Sequence, residues 1–166
     1  MRRARSTPKS IFPPIPGGGR QLGASRAAVA KLLQAQIGNI PEQVRRLLRP
    51  RSQRETGADA TLDTGDVAEI EAKLVLTATS RNYASELASS EITRRVSSDL
   101  QNYFDSGMEI LLERLRTSPP NERTFRQSQV DAAVKFCAKL FGSEYACLLA
   151  KAADIAAQGE QKAARA

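Results

Sequence analysis

Between Ser89 and Arg116 the chain places Ile92, Val96, Leu100, Tyr103, Phe104, Met108, Leu111, Leu112 and Leu115 at steps of three and four. That period gathers the apolar residues on one stripe of an α-helix, and Pro119-Pro120 stops it. At 1.5 Å per residue such a rod is about 40 Å long. It has nothing of its own to cover the stripe, so other helices, from this chain or another, must lie across it. Composition points the same way. Aromatic residues make up 5% of 166 and Trp is absent, so the core is expected to be built from Leu, Val and Ala, which suits packed helices better than stacked sheets.

Turn residues and caps divide the flanks. Met1–Gly23 is too dense in Pro and Gly for helix or strand and is expected to be a disordered basic arm. Ser25 is a candidate cap for a short helix ending at Ile37, with Gly38 after it. Pro41 opens a second piece with Val44, Leu47 and Leu48 inward and Arg45, Arg46 and Arg49 outward, closed by Pro50. Both pieces are short enough to be frayed in isolation. Residues 51–65 read as a polar linker. Asp66 caps a predicted helix over 66–79. No Gly or Pro interrupts the chain between Gly65 and Gly107, but Thr77, Thr79, Ser80, Ser85, Ser89 and Ser90 offer side-chain hydrogen bonds that compete with helix, so a loop is placed near 82–88. After a loop at 118–123, Thr124 caps a helix with Val130, Val134, Cys137 and Leu140 or Phe141 on one stripe, ended by Gly142. Ser143 caps a last helix with Tyr145, Leu148, Leu149 and Ile155 inward and Gly159 as its stop; the tail 160–166 is expected to fray. The divisions are thus an arm and linker over 1–65, a helical domain over 66–159 and a tail.

Charge is distributed unevenly. Residues 1–65 carry 12 Lys and Arg against 4 Asp and Glu, whereas residues 66–166 carry 13 against 14, and the first acidic residue is Glu42. A basic arm on a near-neutral domain points to a polyanionic partner, nucleic acid first. Arg2, Arg3 and Arg5 lead the arm, and a guanidinium grips phosphate by paired hydrogen bonds as well as by charge. Ser6-Thr7-Pro8-Lys9 has the form of a phosphorylation site that would weaken such a grip. An Arg-rich, acid-poor start also fits a mitochondrial presequence, although the Pro and Gly cluster suits the required amphipathic helix poorly. No apolar run reaches the roughly 18 residues of a membrane span.

Catalytic signals are sparse. With no histidine, the Ser-His-Asp and Cys-His arrangements are closed, and so is zinc bound by imidazole. Cys137 and Cys147 lie ten apart in helical sequence without partner ligands and read as structural thiols. Gly17-Gly18-Gly19 follows prolines rather than a strand and is a linker, not a phosphate loop. Glu109 and Glu113, one turn apart beside Arg114 and Arg116, read as a solvated face. The expectation is a non-enzyme with no cofactor, no metal, no small-molecule substrate and no membrane association.

The order of helix, loop, very long helix, loop, helix and extra C-terminal helix resembles the histone fold, and histone 2B in particular. Ser89-Ser90 stands where that family opens its long helix with a Ser-Ser pair. Leu100, Tyr103, Phe104 and Asp105 fall on positions that are apolar, apolar, Phe and acidic in the family. E-R-T-F-R-Q-S-Q-V-D-A-A-V-K-F is similar to the family's R-S-T-I-S-A-R-E-I-Q-T-A-V-R-L, and Gly142-Ser143-Glu144 to its Pro-Gly-Glu turn. The likeness spans about 70–158. The chain departs from the family in a second loop about two residues longer with two prolines, in a first helix without the family's aromatics, and in a tail nearly free of lysine.

The resemblance implies an all-α histone fold that pairs with a histone 2A-like or other histone-fold partner through Val96, Leu100, Tyr103, Phe104, Met108, Leu111 and Leu115. It implies double-stranded DNA held without sequence specificity, in the nucleus on chromatin or in a virion. Ser89, Ser90, Arg94 and Arg95 would meet phosphates, with Arg123, Thr124 and Arg126 brought beside them across the pair. A second class of function stays open: a helical protein-interaction or adaptor module whose basic arm is a targeting or docking segment.

Overall fold

The computed structural model describes residues 18–50, 60–83 and 89–163, and among them it contains six α-helices and no strand. They are α1 (Gly18–Ile37), α2 (Ile40–Leu47), α3 (Thr64–Asn82), α4 (Ser90–Arg116), α5 (Pro120–Phe141) and α6 (Ser143–Ala163). The all-α class read from the sequence is the class observed. Residues 1–17 of the proposed arm, most of the linker, residues 84–88 of the loop and the last three residues lie outside the described residues.

Helix α4 is the axis of the bundle, and every other helix touches it. Val96, Leu100, Phe104, Met108, Leu111 and Leu115 are each at most 7% exposed within the single chain. The residues expected to pair with a second chain are therefore already covered by this one; Tyr103, also in that set, is half-buried. An edge-to-face series, Tyr103–Phe104–Phe141–Tyr145, with centroids 5.5, 6.2 and 5.4 Å apart, runs from α4 across the end of α5 to the start of α6. No backbone crosses at Gly107: an added Cβ would meet only the Tyr103 ring, at 3.8 Å.

The core begins earlier than residue 66. Ile37, Ile40, Val44, Leu47, Leu48 and Leu62 belong to the same apolar cluster as the α4 stripe. Helix α2 is thus part of the packed body: it buries Val44, Leu47 and Leu48 and leaves Arg45, Arg46 and Arg49 exposed, the partition its pattern predicts. Its junction with α1 requires glycine, because a Cβ on Gly38 would stand 2.7 Å from the Gln34 carbonyl oxygen. Gly142, at φ 95, supplies the left-handed turn between α5 and α6.

Several boundaries differ from those read in sequence, among them the end of α3, at Asn82 rather than 79. Helix α1 starts at Gly18 rather than after Ser25, since extending a formed helix adds one hydrogen bond per residue and tolerates a glycine at about 1 kcal/mol. Helix α3 is capped by Asp63, whose carboxylate accepts from the Asp66 amide at 2.9 Å; Asp66 is the third helical residue, not the cap. Helix α5 starts at Pro120 instead of Thr124, because a proline at the first helical position loses no hydrogen bond.

Helix α6 corrects a face. Ala146, Ala153 and Ala156 are buried, while Leu148 and Ile155, expected inward, are exposed. Small side chains let α6 lie close on α4 and α5, a fit that larger residues would hold apart. The helix also runs through Gly159 to Ala163.

Candidate nucleic-acid interface

The first turn of any α-helix leaves amides without intrahelical partners, and the aligned peptide dipoles make that end electropositive. Helix α4 is the longest among the described residues, at 27 residues. Its N-cap, Ser89, is only 3% exposed, yet its hydroxyl forms no capping bond and has no other partner among the described residues. Thr93 and Ser97, one and two turns on, also bury hydroxyls without partners. Ser90 is exposed at the first helical position, and Arg94 and Arg95 are exposed one turn further. Ser89 and Arg95 line a cavity of about 220 Å³ with Ala30 and Gln34 from α1 and Glu91 and Ile92 from α4. Glu91 is the only acidic side chain among these lining residues.

Helix α1 adds charge to this end of the bundle. It contains Arg20, Arg26 and Lys31 and no acidic residue. The sequence signal for this contribution was available, since no Asp or Glu precedes Glu42, but reading the Gly-rich stretch as an arm concealed the first turns of the helix, where Arg20 lies. Gln34 could not be foreseen, because nothing in the sequence brings it to α4. Arg45 of α2 lies elsewhere on α4, with its guanidinium 5.8 Å from the Tyr103 ring centroid.

Within one chain the two halves of the predicted phosphate-contacting set lie apart, and the expectation joined them only across two chains. Arg123 and Thr124 lie in the first turns of α5, beyond the far end of α4, about 40 Å from Ser89 at 1.5 Å per residue. Thr124 is exposed. Arg123 is half-buried and donates from Nη2 to the Ala157 carbonyl of α6. Arg126, expected near phosphate, is instead an interior residue: it donates to Glu122 Oε2 at 2.9 Å and to Gln129 Oε1 at 3.2 Å. Gln129 in turn donates to the Arg49 carbonyl at 3.0 Å, tying α5 to the end of α2. This network satisfies buried polar groups and fixes the packing of α2 on α5. Arg2, Arg3 and Arg5 lie outside the described residues.

The environment of Cys137 suppresses its ionisation. Burial, and secondarily the Asp105 carboxylate, pushes the Cys137 thiol up to about 12. Cys147 is exposed. Burial also raises Tyr103, against the lowering effect of Arg45 and Arg114, and raises Tyr145, helped by Cys137 and by Asp105, to which Tyr145 is hydrogen-bonded. Among the described residues no helix is long and apolar enough to cross a membrane.

No protein-family model matches the chain, and comparison with curated proteins and with solved structures finds no match.

Proposed function

We propose that the chain binds double-stranded DNA through its backbone phosphates, without sequence specificity, at the end of the bundle where α1 meets the start of α4. One observation carries this reading: an acid-free helix bearing three cations lies beside a helix N-terminus at which Ser90, Arg94 and Arg95 are exposed. Phosphate oxygens suit such a group, since they accept from hydroxyls, orphan amides and guanidinium groups together. The basic arm, with Arg2, Arg3 and Arg5, would extend the same contact along the duplex. The reading also draws on the sequence likeness to the histone fold, which implies phosphate contact at the start of the long helix. Pairing along the α4 stripe is left out of the proposal, because the chain's own helices already cover the stripe.

Neutralising phosphates releases counterions, so the logarithm of affinity falls linearly with the logarithm of salt. For the full chain on duplexes of unrelated sequence, we expect equal affinities and a steep fall between low and moderate salt. Charge reversal of Arg94 and Arg95 is expected to reduce that slope by about 2. Thr124→Ala is expected to leave it unchanged. Retention on DNA that does not respond to salt, or that survives Arg94→Glu with Arg95→Glu undiminished, overturns the proposal.

A further inference from the structure

The cavity of about 220 Å³ between α1 and the start of α4 gathers donors that the packing of the chain does not use. The first intrahelical bond of α4 runs from the Thr93 amide to the Ser89 carbonyl at 3.0 Å, so the helix itself leaves the amides of Ser90, Glu91 and Ile92 unengaged. Ser89 lines the cavity and is 3% exposed, and its hydroxyl has no partner among the described residues. A buried hydroxyl has given up its hydrogen bonds with water, and native folds keep such a group where water, an ion or a ligand answers it. Gln34 of α1 and Arg95 of α4 add a carboxamide and a guanidinium to the same lining. These are the donors a tetrahedral oxyanion takes at a helix N-terminus. Glu91 is the exception, a carboxylate in the same lining. Toward a sulfate or a phosphodiester, which carry no proton at neutral pH, it is only repulsive. A phosphate that retains one proton donates from that hydroxyl to the carboxylate while its other oxygens accept from the donors around it.

We propose that this cavity binds a phosphate group bearing a titratable proton, as inorganic phosphate or a phosphate monoester, and that Glu91 selects it over sulfate and over diesters. Ser89 Oγ and the first-turn amides hold the oxyanion, Arg95 balances its charge, Gln34 reaches it from α1, and Glu91 accepts from its hydroxyl. The site lies beside the surface assigned to duplex DNA and differs from it in ligand, since a backbone phosphate is a diester. Arg95 is common to both, whereas Ser89, Gln34 and Glu91 serve the cavity alone. Because α1 lines one side and α4 the other, an occupied site ties the two helices and stabilises the fold by mass action.

Thermal unfolding of the full chain at constant ionic strength, with chloride as the exchanged ion, tests this. The midpoint is expected to rise with inorganic phosphate, and to need about ten times as much sulfate for the same rise. Both anions also strengthen apolar burial in general, so the response is read as the difference between the wild type and Ser89→Ala. Ser89→Ala removes a hydroxyl that has no partner, and Gln34→Leu alters an exposed position, so both are expected to fold and to lose the specific rise. Glu91→Gln is expected to erase the preference, so that sulfate and phosphate act alike. Methyl phosphate separates the two sources: a larger response than to inorganic phosphate assigns the site to monoesters, and a smaller one assigns it to the free ion. Dimethyl phosphate, a diester, is expected to have no effect. Ser89→Ala and Gln34→Leu are expected to keep salt-dependent retention on DNA, so failure of this site and failure of DNA binding are seen separately. A rise that is absent or equal in the wild type and Ser89→Ala overturns the proposal, as does a response to dimethyl phosphate or a preference that survives Glu91→Gln.

Discussion

Helices α4 and α1 carry the same kind of pattern and meet opposite fates. Both show apolar residues at helical spacing, yet every interior position of α4 from Val96 to Leu115 is covered, whereas Leu22, Val29 and Leu32 of α1 face solvent. Periodicity says which side of a helix seeks cover. It does not say what supplies the cover. For α4 the supply is α2, α3, α5 and α6, two of which bring more apolar surface than their own stripes suggest: α2 belongs to the core, and α5 buries Phe125, Val130, Ala133 and Phe136 around several sides. For α1 the described chain supplies nothing beyond its last turns.

This contrast is broken most severely at its centre. Leu100→Asp places an unpaired carboxylate where exposure is zero, a change that exceeds the few kcal/mol separating folded from unfolded chains, so loss of the cooperative thermal transition is expected. The matching change on α1, Leu32→Asp, is expected to shift stability by no more than about 0.5 kcal/mol in dilute chemical denaturation.

Next in size is the buried pair of Glu122 and Arg126. Arg126→Ala leaves a buried carboxylate without its partner and is expected to cost about 3–5 kcal/mol, whereas replacing both members by apolar residues of similar volume is expected to be nearly neutral. Denaturant midpoints of the two variants test whether the pair serves the α2–α5 packing or stands ready for phosphate. A DNA-contacting arginine would lose affinity on substitution while stability stayed unchanged.

The covered side of α5 also sharpens the comparison through its thiol. Cys137 holds its proton up to about pH 12 in the folded chain, against an ordinary value of 9.0, so the unfolded state binds fewer protons between those limits. Stability from this group is complete below pH 9 and declines as pH rises toward 12. Thermal midpoints are expected to fall less steeply over that range in Cys137→Ala. A thiol reagent at neutral pH should modify Cys147 alone until the chain is unfolded.

The smallest effect is a gain. Gly107 lies within α4 with room for a methyl group, so Gly107→Ala is expected to stabilise the chain by about 1 kcal/mol, read from the denaturant midpoint.

Much of the fold was legible one element at a time. The limits of α4, the ends of α1 and α5 at Gly38 and Gly142, and the inward face of α2 follow from periodicity and turn chemistry, which act within a few residues. The outward turn of Leu148 and Ile155 was not legible, because an alanine face prevails only where two neighbouring helices leave no room for leucine. Of the candidate interface, Ser90, Arg94 and Arg95 were identified from the sequence and stand exposed together. Arg123 and Arg126 were identified on the same grounds, but the first is held by α6 and the second by Glu122 and Gln129. An arginine's sequence neighbours do not reveal whether a carboxylate one turn away will be buried with it.

The sequence by itself determined that this protein is helical, that one long helix organises it, and that its positive charge gathers toward the N-terminus. These are properties of spacing and composition, which need no knowledge of distant contacts. Only the tertiary structure decided that the long helix is covered from within, that α2 belongs to the core, and that α1 stands apart with its stripe bare. Each of those depends on which surfaces meet across tens of residues, and apolar burial rewards area without regard to which chain or element provides it.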